Sequence, residues 1–76
     1  GFFGVKPANR GKGVGFSLLS RFIEEAEKRK AHKVWLLTAP SLHSAIRLYV
    51  KAGFTQEGYL RRHSHRQDLI LYSKFL

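Results

Sequence analysis

From Val14 onward the apolar residues Val14, Leu18, Leu19, Phe22, Ile23 and Ala26 recur at helical spacing, with Arg21, Glu24, Glu25, Glu27 and Lys28 filling the other side. That pattern predicts an amphipathic helix running to about Lys30. Ahead of it, Gly1-Phe2-Phe3-Gly4-Val5-Lys6 is short, aromatic and β-branched, and Pro7 stops it as a strand. Val34-Trp35-Leu36-Leu37-Thr38 is a compact apolar run closed by Pro40, which reads as a buried strand. Ser41 is placed to cap the next helix, whose stripe is Leu42, Ala45, Ile46 and Tyr49, and Gly53 ends that helix as a left-handed cap. Phe54 to Leu60 predicts a strand, Arg61 to Gln67 a polar and basic loop, and Asp68 to Leu76 a last strand pairing back as an antiparallel hairpin.

The predicted order is β-α-β-α-β-β, an α/β fold with a mixed sheet, partly parallel with an antiparallel hairpin at one edge. No repeat, linker or low-complexity tract divides the chain, so residues 1–76 are expected to form one domain. A domain this small buries roughly 60% of the surface its unfolded chain exposes. No disulfide can help it, because the chain has no cysteine. No cluster of histidines and carboxylates has the spacing of a zinc site, so no metal is expected. No apolar run is long enough to span a bilayer, and no signal-peptide pattern opens the sequence. A soluble, cytoplasmic protein is the expectation.

Charge changes the picture. Fourteen Lys and Arg face five Asp and Glu, a formal net charge of +9. Such a field draws in phosphates of any origin without choosing among them. The six residues Arg10-Gly11-Lys12-Gly13-Val14-Gly15 lie between the first strand and the first helix, where α/β folds place ligands. Free backbone N–H groups and the helix dipole put partial positive charge at that spot. The spacing is not that of a P-loop, and Phe16 stands where a dinucleotide fingerprint needs its third glycine.

Arg10, Gly13 and Gly15 do fill the pattern [QR]-x-x-G-x-[GA], and Ala45-Ile46-Arg47-Leu48-Tyr49-Val50-Lys51-Ala52-Gly53-Phe54 fills A-[IR]-x-L-Y-x-K-x-G-F at the end of the following helix. With both motifs in this order, and with the tail Asp68 to Leu76 similar to a last strand, the chain resembles the C-terminal half of the GCN5-related N-acetyltransferase (GNAT) superfamily. The resemblance covers essentially all 76 residues but half of the family's domain. It implies a truncated domain lacking the upstream strands and helices that shape the acceptor site.

The resemblance also implies a cofactor and an activity: binding of acetyl-CoA, and transfer of its acetyl group to a primary amine by direct attack. Backbone groups of Phe3, Gly4 and Val5 would pair with the pantetheine arm, with a backbone N–H polarising the thioester carbonyl. Arg10, Gly11, Lys12, Gly13, Val14 and Gly15 would cradle the pyrophosphate. Tyr49 would be the general acid that protonates the departing thiolate. Many members place an asparagine seven residues before that tyrosine, whereas this chain has Leu42. No general base is visible: neither Phe2 to Lys6 nor Val34 to Thr38 contains an acid, Glu57 is conceivable but unsupported, and the alternatives are a base in the upstream half of the family's domain or none at all.

Arg61-Arg62-His63-Ser64-His65-Arg66 reads as a solvated basic loop rather than a metal site, since cations crowd the two histidines. A first strand without its usual neighbour leaves edge groups and apolar surface uncovered, which predicts self-association, for instance as a homodimer. The alternative reading is a noncatalytic basic module that binds nucleic acid or another polyanion; the two signatures favour acetyl-CoA over it.

Overall fold

The computed structural model describes residues 2–5 and 15–76. Six elements follow in the predicted order: β1 (Phe2–Val5), α1 (Phe16–Lys28), β2 (Lys33–Thr38), α2 (His43–Lys51), β3 (Thr55–Ser64) and β4 (Gln67–Phe75). The strands form one mixed sheet in the order β1-β2-β4-β3. β1 runs parallel to β2, from Phe2↔Lys33 to Val5↔Leu36. β4 is antiparallel to both of its neighbours, so the last strand enters the sheet beside β2 and leaves β3 at the edge.

Alternation along the strands sorts the core. Val34, Leu36, Ile70 and Tyr72 point to one face and pack with Leu19 and Ala26 of α1, Tyr49 of α2, and Phe54. Half-buried Phe22, Ile23, Ala45 and Ile46 widen that cluster. The helical stripe is narrower than its spacing implies: Leu18, counted in it, is 55% exposed. Val14 lies outside the described residues.

Both helices end in the same hydrogen-bonded device. In α2 the Gly53 N–H donates to Val50 O and the Phe54 N–H reaches back to Tyr49 O, with Gly53 at φ +98°. That is a Schellman motif, and Tyr49 and Phe54, the residues it clips together, pack ring to ring at 6.0 Å. In α1 the Lys30 and Ala31 N–H groups donate to Glu27 O and Ala26 O in the same pattern. Here the left-handed residue is Lys30, at φ 58°, so the helix stops at Lys28 rather than at Lys30.

Two expectations change at the polar ends. Ser41 does not cap α2: the N-cap is Leu42, without a side-chain cap hydrogen bond. Ser41 instead belongs to a turn over Ala39-Pro40-Ser41-Leu42, closed by the Leu42 N–H on Ala39 O. The span Arg61 to Gln67 is mostly strand, because the hairpin continues to a two-residue turn at His65-Arg66 flanked by the pair Ser64↔Gln67.

Candidate functional site

The predicted site residues fall on three elements. Phe3, Gly4 and Val5 form the body of β1 and lie beside Val34, Trp35 and Leu36 in parallel register. Among the described residues β1 is an end strand, so its outer backbone groups have no strand neighbour. Arg10, Gly11, Lys12, Gly13 and Val14 lie outside the described residues. Gly15 is the N-cap of α1, in extended conformation at φ −63° and ψ 161°. Its carbonyl accepts from the Leu19 N–H, which leaves the first-turn N–H groups without intrahelical acceptors. No side chain caps this end and its first turn carries no acid, so nothing on α1 itself neutralises the positive pole of the helix.

Tyr49 is held on α2 over the sheet. Its ring lies 6.1 Å from Tyr72, which is paired with Leu36, which in turn is paired with Val5. One row of the sheet thus runs from the β1 residue Val5 to the strand beneath the phenol, two strand spacings or about 10 Å across. Tyr49 is 8% exposed, and burial alone raises its pKa above the ordinary value of 10.0. The phenol is therefore protonated throughout the neutral range, the state a proton donor needs.

Thr38, at the carboxyl end of β2, was not singled out by its sequence context. It is 1% exposed, and its Oγ1 has no hydrogen-bond partner. It alternates onto the same face as Val34 and Leu36, the face that carries Tyr49. A buried unpaired hydroxyl is costly, so its presence marks a place that favours a polar guest. No hydropathy pattern reveals such a group, since a threonine closing a strand is unremarkable in sequence.

Glu57 is not placed for base work. Lys33 Nζ stands 2.9 and 3.0 Å from its two carboxylate oxygens, and hydrogen bonds from Ser73 and Lys33 hold its pKa below the ordinary 4.5. Lys33 is paired with Phe75 at the amino end of β2, opposite the end where Thr38 lies. Among the described residues no group of three or more His, Cys, Asp or Glu is arranged to hold a metal ion. No described helix is long and apolar enough to cross a membrane.

The sequence model of the acetyltransferase (GNAT) family matches residues 1–54, a span that takes in β1, both signatures and the α2 cap. The chain belongs to the GNAT acetyltransferase family. A curated relative is the [ribosomal protein bS18]-alanine N-acetyltransferase of Escherichia coli, 36% identical over 88% of this chain and 48% of its own. Among solved structures, the ribosomal-protein-alanine N-acetyltransferase of Brucella melitensis superposes with a TM-score of 0.76 at 32% identity, over 88% of this chain and 44% of that one. The yncA protein of Salmonella typhimurium, solved with its cofactor acetyl-CoA, gives a TM-score of 0.75 at 28% identity, over 97% and 49%. The GNAT chain therefore spans about half the length of these relatives. None of the three points to a polyanion-binding module.

For acetyl-CoA the residues present fit. The N-terminus of α1 is uncapped and free of acid, as an anionic phosphate requires, and the unpaired Thr38 hydroxyl is a polar group awaiting a partner.

Proposed function

We propose that this GNAT chain binds acetyl-CoA and carries the donor side of an N-acetyltransferase that acts on a primary amine by direct attack. The observation that carries the reading is the α2 end: the signature Ala45–Phe54 folds into a clipped helix terminus that holds a protonated, buried Tyr49 over the row Val5, Leu36, Tyr72. Acetyl-CoA supplies the activated acyl group and a thiolate leaving group. The chain's own residues hold and protonate. Backbone groups of Phe3, Gly4 and Val5 present fixed donors and acceptors along an edge, Arg10 to Gly15 offer N–H groups and cations to phosphate, and the Tyr49 hydroxyl keeps a proton for the departing sulfur. Residues 1–76 make one unit in this reading, the cofactor-binding part of the family's domain. We place the activity in the cytoplasm.

The test is thiol release from acetyl-CoA in the presence of a primary amine, with Tyr49→Phe as the variant. Loss of a general acid is expected to slow release by about a hundredfold while CoA affinity holds. Equal rates in the two proteins remove Tyr49 from the chemistry.

We further propose that two copies associate. Phe16 and Leu18 on the first turn of α1 are half exposed. Those apolar side chains favour a second copy that leaves the β1 backbone groups to the pantetheine arm.

A further inference from the structure

Two hydroxyls on one face of the sheet have no partner among the described residues. Thr38 Oγ1 is buried and bonded to nothing, in a residue 1% exposed. Ile70, the residue opposite it on β4, is buried and apolar, so its side chain offers that hydroxyl no acceptor. The Tyr49 hydroxyl makes no hydrogen bond to a described residue either.

The fold brings the two toward each other. β2 ends at Thr38, and after the turn over Ala39 to Leu42 the helix α2 sets off from that same end of the sheet. It then runs back along the face, because the strand that follows it opens at Thr55 opposite Ser73, which is itself opposite Trp35. Helical side chains lean toward the amino end of their helix. Tyr49 therefore leans from the row of Leu36 and Tyr72 toward Thr38, which lies two residues, or about 7 Å, farther along β2. This end of the sheet is also open on one side. Val5 is paired with Leu36, and no described residue of β1 lies beside Leu37 or Thr38. A ligand following β1 past Val5 thus arrives at the place where both hydroxyls converge.

We propose that Thr38 is a second hydrogen-bond donor to the leaving sulfur of acetyl transfer, its hydroxyl facing the same atom as that of Tyr49. The proposal rests on the acetyl-transfer reading and adds to it a contact with a reacting atom. In the step, the amine nitrogen bonds to the acetyl carbon, the carbon–sulfur bond breaks and its electron pair stays on sulfur. Tyr49 passes its proton to that sulfur, the amine gives its surplus proton to water, and water returns one to the phenolate. Thr38 keeps its own proton and donates a hydrogen bond only. Two hydroxyls without acceptors match a guest that accepts and does not donate, which a thiolate does. Hydrogen bonds to an ionised acceptor are roughly twice as strong as neutral ones, so the contact strengthens as charge develops. A valine of the same shape would spare the empty chain its buried orphan, and the threonine is therefore a cost that the loaded state offsets.

The experiment is calorimetry with CoA and with desulfo-CoA, which lacks the sulfur, at about pH 9.5, above the pKa of a simple thiol. Tyr49, with its pKa raised above 10.0, keeps its proton there. The parent chain is expected to prefer CoA. Thr38→Val should lose about tenfold in affinity for CoA and nothing for desulfo-CoA, and Thr38→Ser, which returns the hydroxyl, should recover the loss. Without ligand, Thr38→Val should melt about 4 °C above the parent. Equal losses for the two ligands, an unchanged affinity for CoA, or a lower melting temperature in Thr38→Val each overturn the proposal. CoA binding by the parent together with any of those results rejects the Thr38 assignment and spares the acetyl-transfer reading. No binding of either ligand by the parent rejects both.

Discussion

Burial sets the chemistry of Tyr49. Its hydroxyl makes no contribution to its own elevated pKa through hydrogen bonds or charges; desolvation alone raises it. Replacing it with phenylalanine keeps the ring against Phe54 and Tyr72 and removes an unbonded oxygen. Stability of Tyr49→Phe should stay within about 0.5 kcal/mol of the parent while thiol release falls, so a chemical-denaturation midpoint and a rate separate packing from chemistry. A phenol with a raised pKa favours the folded state below its unfolded value near 10, and that advantage is lost as pH rises through the folded value. Parent and Tyr49→Phe proteins should diverge in melting temperature only in strongly alkaline buffer. Carboxylates act at the other end of the scale. Glu57 and Asp68 are both held below their ordinary 4.5 and 3.8, the first by Ser73 and Lys33, the second by the Arg62 N–H and Tyr59. Their contribution is complete above those unfolded values and disappears as pH falls through the lowered folded ones. Thermal melts of Glu57→Gln should therefore lose less on acidification than those of the parent.

At the scale of elements, the carboxyl end of α2 was the part of the site most legible in sequence. Gly53 announces its left-handed conformation because glycine is the residue that adopts φ +98° without strain. Gly53→Ala should cost roughly 1 kcal/mol in urea denaturation and loosen the clip between Tyr49 and Phe54. The matching device on α1 was not legible, since Lys30 at φ 58° carries no glycine to mark it, and the helix read two residues too long. Lys30→Gly should stabilise the fold by about 0.5–1 kcal/mol, the reverse sign for the same geometry. The hairpin misled in the same way. Arg62, His65 and Arg66 take left-handed backbone without a Gly, Asn or Asp to signal it, so a strand bulge and a two-residue turn read as one long basic loop. Ser41 looked like a cap because it precedes an apolar stripe, but Pro40 draws it into the preceding turn.

For the whole molecule, hydropathy spacing located six elements in order, yet it held no information on the neighbour order β1-β2-β4-β3. That order depends on pairings such as Leu36↔Tyr72, between residues distant in sequence, and the insertion of β4 beside β2 is what brings Tyr72 and Tyr49 level with Val5. The orphaned hydroxyl of Thr38 is likewise a property of the packed state alone. The exposed Phe16 and Leu18 belong to this scale too. Sedimentation at micromolar concentration should show a species heavier than one chain, and a monomer with a cooperative melt would contradict the association proposed above.

The proposed function turns on acetyl-CoA binding by residues Arg10 to Gly15 of this GNAT chain. Isothermal calorimetry with CoA tests it most directly, comparing the parent with Gly13→Glu, which puts bulk and negative charge where the pyrophosphate is to sit. The parent should bind with measurable heat and the variant should show none, with duplex DNA giving no competing signal that steepens with falling salt. CoA affinity that survives Gly13→Glu, or a parent chain that binds DNA and not CoA, contradicts the account.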